Sequence, residues 1–312
     1  MVSDVYRLEE SKLATTTQLA IYMNLDTDAR ISRPTSNRVA YAAHQQVSLH
    51  DTQTGKLVWV SPQPASWRGQ EYHGGIYPVA VCLAPDAGAI AMADRQQLKL
   101  FKPALGTNAE VIATFDRGVT AMDWSADGKY IAVAGRSLDI LEIMELEKTE
   151  RPDAITARNA ELRQVRLMRP DGTLVGTLPQ TANLSGLAFS PDSRQLAVMD
   201  WENDGIRIHN VATRRREFVI PVWAGERVLH ESLTGLVWSP DGRFIAVTRR
   251  GGGVILCDVN RRIPVAKSSV ASNSPMNINS PIAFSPDSSA VIARCTDRKL
   301  RFWDLEVWRG KN

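Results

Sequence analysis

A short phrase returns six times along this chain, and its spacing limits the fold more than any other feature. Phe189-Ser190-Pro191-Asp192-Ser193 runs into Leu196-Ala197-Val198, Trp238-Ser239-Pro240-Asp241-Gly242 into Phe244-Ile245-Ala246-Val247, and Phe284-Ser285-Pro286-Asp287-Ser288 into Val291-Ile292-Ala293. Weaker copies are Trp124-Ser125-Ala126-Asp127-Gly128, Leu83-Ala84-Pro85-Asp86 and Ser32-Arg33-Pro34-Thr35-Ser36-Asn37. Each copy joins two short apolar runs through a tight polar turn. With the second turn residue as a ruler, the intervals between copies are 51, 41, 65, 49 and 46 residues. A unit of this size cannot bury its own apolar faces and must stack on its neighbours, as an array or a ring.

The grammar inside each interval is that of four short strands, a to d. In the fifth unit Leu236-Val237-Trp238 ends strand a and 244–248 is strand b. Strand c follows at 254–258 and strand d at 263–266. The first unit places strand c at 47–51, a turn at Thr54-Gly55 and strand d at 57–60. Helical periodicity is absent from most of the chain. The sixth unit ends with a strand c, Leu300-Arg301-Phe302-Trp303-Asp304, and too few residues remain for a strand d. Residues 18–23 form an orphan apolar run near the N-terminus. They are expected to complete the last unit, closing a ring and removing two exposed sheet edges.

The totals allow one large repeat domain spanning 1–312. With 44% hydrophobic and 23% charged residues, neither disorder nor a fibrous chain is indicated. A net charge of +3 is too small to argue for nucleic-acid binding by itself. Cys82, Cys257 and Cys295 stand singly in apolar runs, which points to reduced, buried thiols. The first eleven residues lack the apolar core of a secretory signal, and no run has the length to span a bilayer. A cytoplasmic protein without a membrane role is expected.

These residues resemble the WD-repeat β-propeller family, over nearly the whole chain from about Asp28 to Asp304. The best match is Asp297-Arg298-Lys299-Leu300-Arg301-Phe302-Trp303-Asp304. There Asp297 matches the family's b–c turn aspartate, and Trp303-Asp304 its name-giving dipeptide. His230, shortly before Trp238, matches the histidine between blades. Gly-His is absent, and other strands c end in His50-Asp51, His209-Asn210 or Cys257-Asp258. The resemblance implies an all-β closed propeller of four-stranded antiparallel blades. Six are counted, and seven, commoner in the family, stays open. Its implied function is a non-catalytic protein-interaction scaffold, monomeric within a hetero-complex and binding one or more proteins.

In the family's layout the d–a and b–c loops share a top face, and the a–b and c–d turns a bottom face. Three surface features can then be placed. The long interval contains an insertion at about 136–161 between strands b and c, on the top face. It is rich in acids, among them Glu142, Glu145 and Glu147. Its first half, 138–146, is apolar enough to pack or bind, and its second, 154–161, can form a short helix. An alternative parse makes 138–146 the strand c and moves the insertion to the bottom. Loops of this length are functional or disordered as a rule. The second feature is the loop 61–78 with Trp67, Tyr72, His73 and Tyr77, which either form a recognition hot spot or fold over the blade edge. The third is basic: Arg214-Arg215-Arg216 and Arg261-Arg262 in neighbouring c–d turns, with Arg194 and Arg243 in the a–b turns of the same blades. Arginine forks suit carboxylates and phosphates, although a solvated turn explains them equally well.

Catalytic signatures are missing. No two of His44, His50, His73, His209 and His230 have metal-ligand spacing. His50 and His209 occupy equivalent strand c positions and read as packing residues. No Gly-x-Ser-x-Gly elbow occurs. Gly251-Gly252-Gly253 lacks the Gly-Lys-Ser/Thr of a phosphate loop and reads as a hairpin turn. No cofactor and no metal are expected. Two alternatives remain: an enzyme with its site at the mouth of the central channel, and a nucleic-acid or phosphate-binding accessory subunit acting through the basic face. The latter is disfavoured because aromatic residues are not interleaved with the arginines.

Overall fold

The computed structural model describes residues 30–31, 37–43, 46–61, 80–93, 96–106, 109–116, 118–136, 138, 140–162, 164–178, 184–200, 205–222, 233–249, 253–268, 282–294 and 300–309. They form six antiparallel sheets, laid out in chain order as a six-blade β-propeller. The first blade comprises strands a Arg30–Ile31, b Arg38–Ala43, c Gln46–Asp51 and d Leu57–Val60, and the second Ala80–Leu83, Ile90–Ala93, Gln97–Phe101 and Glu110–Thr114. The third has Val119–Trp124, Ile131–Gly135, Val165–Met168 and Leu174–Leu178, and the fourth Leu184–Phe189, Gln195–Asp200, Gly205–Asn210 and Arg216–Pro221. The fifth has Leu233–Trp238, Phe244–Arg249, Val254–Asp258 and Ile263–Lys267. The sixth has three strands among the described residues, Ile282–Phe284, Ala290–Arg294 and Leu300–Asp304. Residues 18–23, expected to supply its fourth strand and close the ring, lie outside the described residues.

The continuous apolar runs of the b strands have a direct cause, because in the second to fifth blades both faces of the sheet are covered. Successive side chains point to opposite faces. Ile245 and Val247 of the fifth blade pack toward the fourth blade, against Met199, Ile206 and Ile208. Phe244 and Ala246, on the same strand, pack toward the sixth, against Phe284, Val291 and Trp303. The first and second, second and third, and third and fourth blades are joined by equivalent apolar clusters.

The repeated turn owes its sequence to a fixed set of hydrogen bonds. Ser239 Oγ donates to Asp241 Oδ1 at 2.6 Å and accepts from the Phe244 N–H at 2.9 Å. Asp241 Oδ1 also accepts from the Arg243 N–H at 3.0 Å. Ser125–Asp127, Ser190–Asp192 and Ser285–Asp287 repeat the device. Bonds from the Ser285 hydroxyl and from the Ser289 backbone and hydroxyl lower the Asp287 carboxyl to about 2. The turns also touch their neighbours. The Asp127 N–H donates to Ser193 Oγ of the next blade at 3.0 Å, and the Asp241 N–H to Ser288 Oγ at 3.0 Å. At the alternate junction Gly242, with φ +76°, faces Pro191, whose Cγ would lie 3.4 Å from an added Cβ.

One more repeated bond fixes which loops share a face. In the first, fourth and fifth blades the residue opening the c–d turn donates to the a–b turn of its own blade: Thr52 N–H to Asn37 O, Val211 N–H to Arg194 O, and Val259 N–H to Arg243 O, each at 2.9 Å. The a–b and c–d turns are therefore adjacent at one end of the sheets.

Ser239 is fully buried, so Ser239→Ala leaves buried turn groups without a partner and is expected to cost about 1–3 kcal/mol. Denaturant unfolding of the full chain checks this value.

Candidate functional site

The strand c position that the family fills with tryptophan is set by strand pairing. His50, Phe101, Met168, His209, Cys257 and Trp303 lie opposite Val39, Ile90, Ile131, Leu196, Ile245 and Val291 respectively. Apart from half-buried His50, these side chains are buried. This is a core position filled by side chains of varied size, and the two histidines occupy it in place of a hydrophobe. Neither ring nitrogen of His209 has a hydrogen-bond partner among the described residues. Burial, reinforced by the charges of Arg207 and Arg216, lowers its pKa to about 4 and keeps it neutral. Burial likewise pushes the Cys257 thiol up to about 12, leaving it inert. The next residue works as a cap. Asp304 Oδ1 accepts from the N–H groups of Glu306 and Val307 at 2.9 and 3.1 Å, starting the terminal helix Leu305–Arg309. Asp258 and Asn210 do the same for their c–d turns, accepting from the Arg261 and Thr213 N–H groups at 2.9 Å. Asp297 and His230 lie outside the described residues.

The long interval resolves into two helices between strands b and c of the third blade: α1, Ile140–Leu146, and α2, Pro152–Leu162. The alternative parse of 138–146 as strand c is thereby corrected. That segment carries no strand, and the partner of the b strand is Val165–Met168. Two glutamates within Leu141-Glu142-Ile143-Met144-Glu145-Leu146, with apolar residues three and four apart, favour a helix over an alternating strand. Pro152 opens α2, where its missing N–H costs nothing, and Asp153 sits in the positive first turn.

The insertion is rooted rather than loose. Leu138 is 2% exposed, and its N–H donates to Asn159 Oδ1 at 3.0 Å. Ile155 and Asn159 of α2 are buried. Gly135 ends the b strand where an added Cβ would stand 2.8 Å from the Leu162 carbonyl oxygen. The outer side of α1 is different. Leu141 is 74% and Met144 54% exposed, three residues apart and so on one face. Glu142 is half-buried, while Glu145 and Glu147 are exposed. Glu145 pairs with Lys148 at 2.5 Å and Glu150 with Arg158 at 3.3 Å.

On the other end, the arginines of the fourth and fifth blades gather as the sequence suggests. Arg194, Arg214, Arg215, Arg216, Arg243, Arg261 and Arg262 are all exposed. Three of them are not freely solvated: Arg243 lies over the ring of Phe244 in its own blade, 5.2 Å from the centroid, and two others reach a neighbouring blade. Arg214 lies over Gly176 of the third blade, where an added Cβ would be 2.7 Å from its Cδ. The Arg262 guanidinium stacks 4.3 Å from the ring centroid of Phe218 in the fourth blade. Both residues have φ near +59°, the position that is Gly55 in the first blade. Sequence reasoning missed this role because the contact is with a different blade. Trp67, Tyr72, His73 and Tyr77 lie outside the described residues.

Among the described residues no group of His, Cys, Asp and Glu is arranged to hold a metal. None of their helices is long and apolar enough to cross a membrane.

Two family models match the chain. One describes the WD40 domain of anaphase-promoting complex subunit 4 and covers residues 213–284. The other describes the WD domain, G-beta repeat, and covers residues 109–139. A search of curated proteins found no match. The matches and the six-blade arrangement together support a WD-repeat β-propeller family for this chain. Domains of that family are generally protein-interaction scaffolds.

His209 gives a pH signature. Its folded pKa is about 4 against 6.5 when exposed, so the unfolded chain takes up a proton that the folded one refuses. Its contribution is complete above pH 6.5 and is lost as pH falls toward 4. His209→Phe, which copies Phe101 of the second blade, should flatten stability against pH across that window. Denaturant midpoints at a series of pH values measure the slope; identical slopes for both proteins would rule out a buried neutral imidazole.

Proposed function

We propose that this propeller is a non-catalytic docking scaffold that serves as one subunit of a larger protein assembly. The observation that carries the reading is helix α1, which projects Leu141 and Met144 into solvent from an insertion anchored on a rigid blade. Large apolar side chains on a rooted helix, next to the exposed acids Glu145 and Glu147, resemble the apolar centre and polar rim of a protein interface. Glu142, Glu145 and Glu147 are proposed as that rim. The mechanism is preorganisation: a helix held by Leu138, Ile155 and Asn159 loses little freedom when a partner binds, so more of the contact energy appears as affinity. The match to the anaphase-promoting complex subunit 4 model supports a role inside a complex without naming one.

Leu141→Ser together with Met144→Ser should leave the melting temperature unchanged, because both side chains already face water. The double variant, used as bait in native extract, should lose the partners captured by the natural chain. Equal recovery of the same partners by both baits would remove α1 as the docking element. Gly135→Ala tests the anchoring separately. Its Cβ would meet backbone oxygen, so it should loosen α2, read as faster hydrogen exchange there, and weaken capture without any change to the contacting residues.

A further inference from the structure

We propose that the turn face of the fourth and fifth blades is a second docking site, shaped for a carboxylate-rich segment of a partner protein. The proposal rests on the scaffold reading and gives the chemistry of one partner.

The two arginine clusters form one strip. The Val211 N–H bonds to Arg194 O and the Val259 N–H to Arg243 O, which holds each a–b arginine against the c–d turn of its own blade. Arg262 stacks on Phe218, two residues after Arg216, which brings the fifth blade's c–d turn against the start of the fourth blade's outer strand. Arg214 and Arg262 fasten these turns to the preceding blade. Arg194, Arg215, Arg216, Arg243 and Arg261 remain at the surface, and none of them makes an ion pair among the described residues.

Nearby acids offset this strip only in part: Asp192, Asp241, Asp258 and Glu217 stand among seven arginines, and their oxygens are also engaged in the turns. Asp192 Oδ1 accepts from the Ser190 hydroxyl and the Arg194 N–H. Asp241 Oδ1 accepts from the Ser239 hydroxyl and the Arg243 N–H, and Asp258 Oδ1 from the Arg261 N–H. Glu217 takes the Gln195 and Asn210 side-chain amides at 2.6 and 2.8 Å. The same end of the second and third blades is different, a groove of about 500 Å³ lined by Asp86, Asp127, Asp171 and Lys102 among apolar residues such as Leu100 and Trp124. A basic strip confined to two neighbouring blades attracts an anionic partner to that part of the face.

The arginines favour carboxylates over single-stranded nucleic acid. Guanidinium forks match carboxylates in bidentate pairs, while base stacking needs exposed rings. Phe218 lies under Arg262, and Trp238 and Phe244 are buried.

The probe is a fluorescent peptide of alternating glutamate and aspartate, titrated into the full chain at low and high salt. A neutral peptide of equal length and a single-stranded oligonucleotide serve as comparisons. The acidic peptide should bind more tightly than either, and more weakly as salt rises. Combined Arg215→Ala, Arg216→Ala and Arg261→Ala should weaken it roughly tenfold, as expected for three exposed ion pairs lost together. Melting should be unchanged in that variant but lowered by Arg214→Ala with Arg262→Ala. The Leu141→Ser, Met144→Ser protein should bind the peptide normally, which separates this site from the one on α1. Equal binding of acidic and neutral peptides, or no loss in the triple variant, would overturn the proposal. Tighter capture of the oligonucleotide would overturn it too, in favour of a nucleic-acid face.

Discussion

Apolar packing between successive sheets is the interaction on which the rest depends. A blade is too thin to contain a core of its own, so from the second to the fifth its two faces are buried by the blades before and after it. Burial of this kind is worth about 25 cal/mol per Å² of apolar surface, and no blade gains it alone. Ile245 and Val247 look one way, Phe244 and Ala246 the other, and the run Phe244-Ile245-Ala246-Val247 satisfies both at once. The rigidity that follows makes the loops at either end useful, because they are held by sheets that cannot shift independently.

The turns add a second, polar connection at the end where they meet. A serine and an aspartate close the a–b turns of the third to sixth blades, and the next blade's serine hydroxyl or the preceding proline touches the turn from the side. Local chemistry and ring assembly thus use the same residues. Arg214 and Arg262 extend this to the c–d turns by reaching across to the previous blade. The arginine strip is accordingly mixed, with two side chains engaged in holding blades together and the others presented to solvent.

Much of the site was legible in the sequence. The insertion showed as an interval of 65 residues between copies of the turn, and the arginines fell in equivalent turns. His50 and His209 were readable as packing residues from their shared place before Asp51 and Asn210. The fate of 138–146 was not legible, because a short apolar run suits a strand or a helix and its partner decides. Strand b pairs instead with Val165–Met168, which leaves the earlier run free to coil. Equally hidden was the apolar face of α1. The run 138–146 is apolar enough to pack or to bind, and only the folded chain, with Leu138 buried and Leu141 and Met144 exposed, separates the two.

The amino-acid sequence by itself determined that the chain is built of repeated units, their strand grammar and the turn that links them. These depend on contacts between residues close in the chain, where proline, glycine, serine and aspartate act on their own backbone. The tertiary structure decided which side chains are left for a partner. Arg214 and Arg215 are adjacent and identical in type, yet one is packed against Gly176 of another blade and the other faces water. That distinction arises from an inter-blade distance, which residue order alone does not specify.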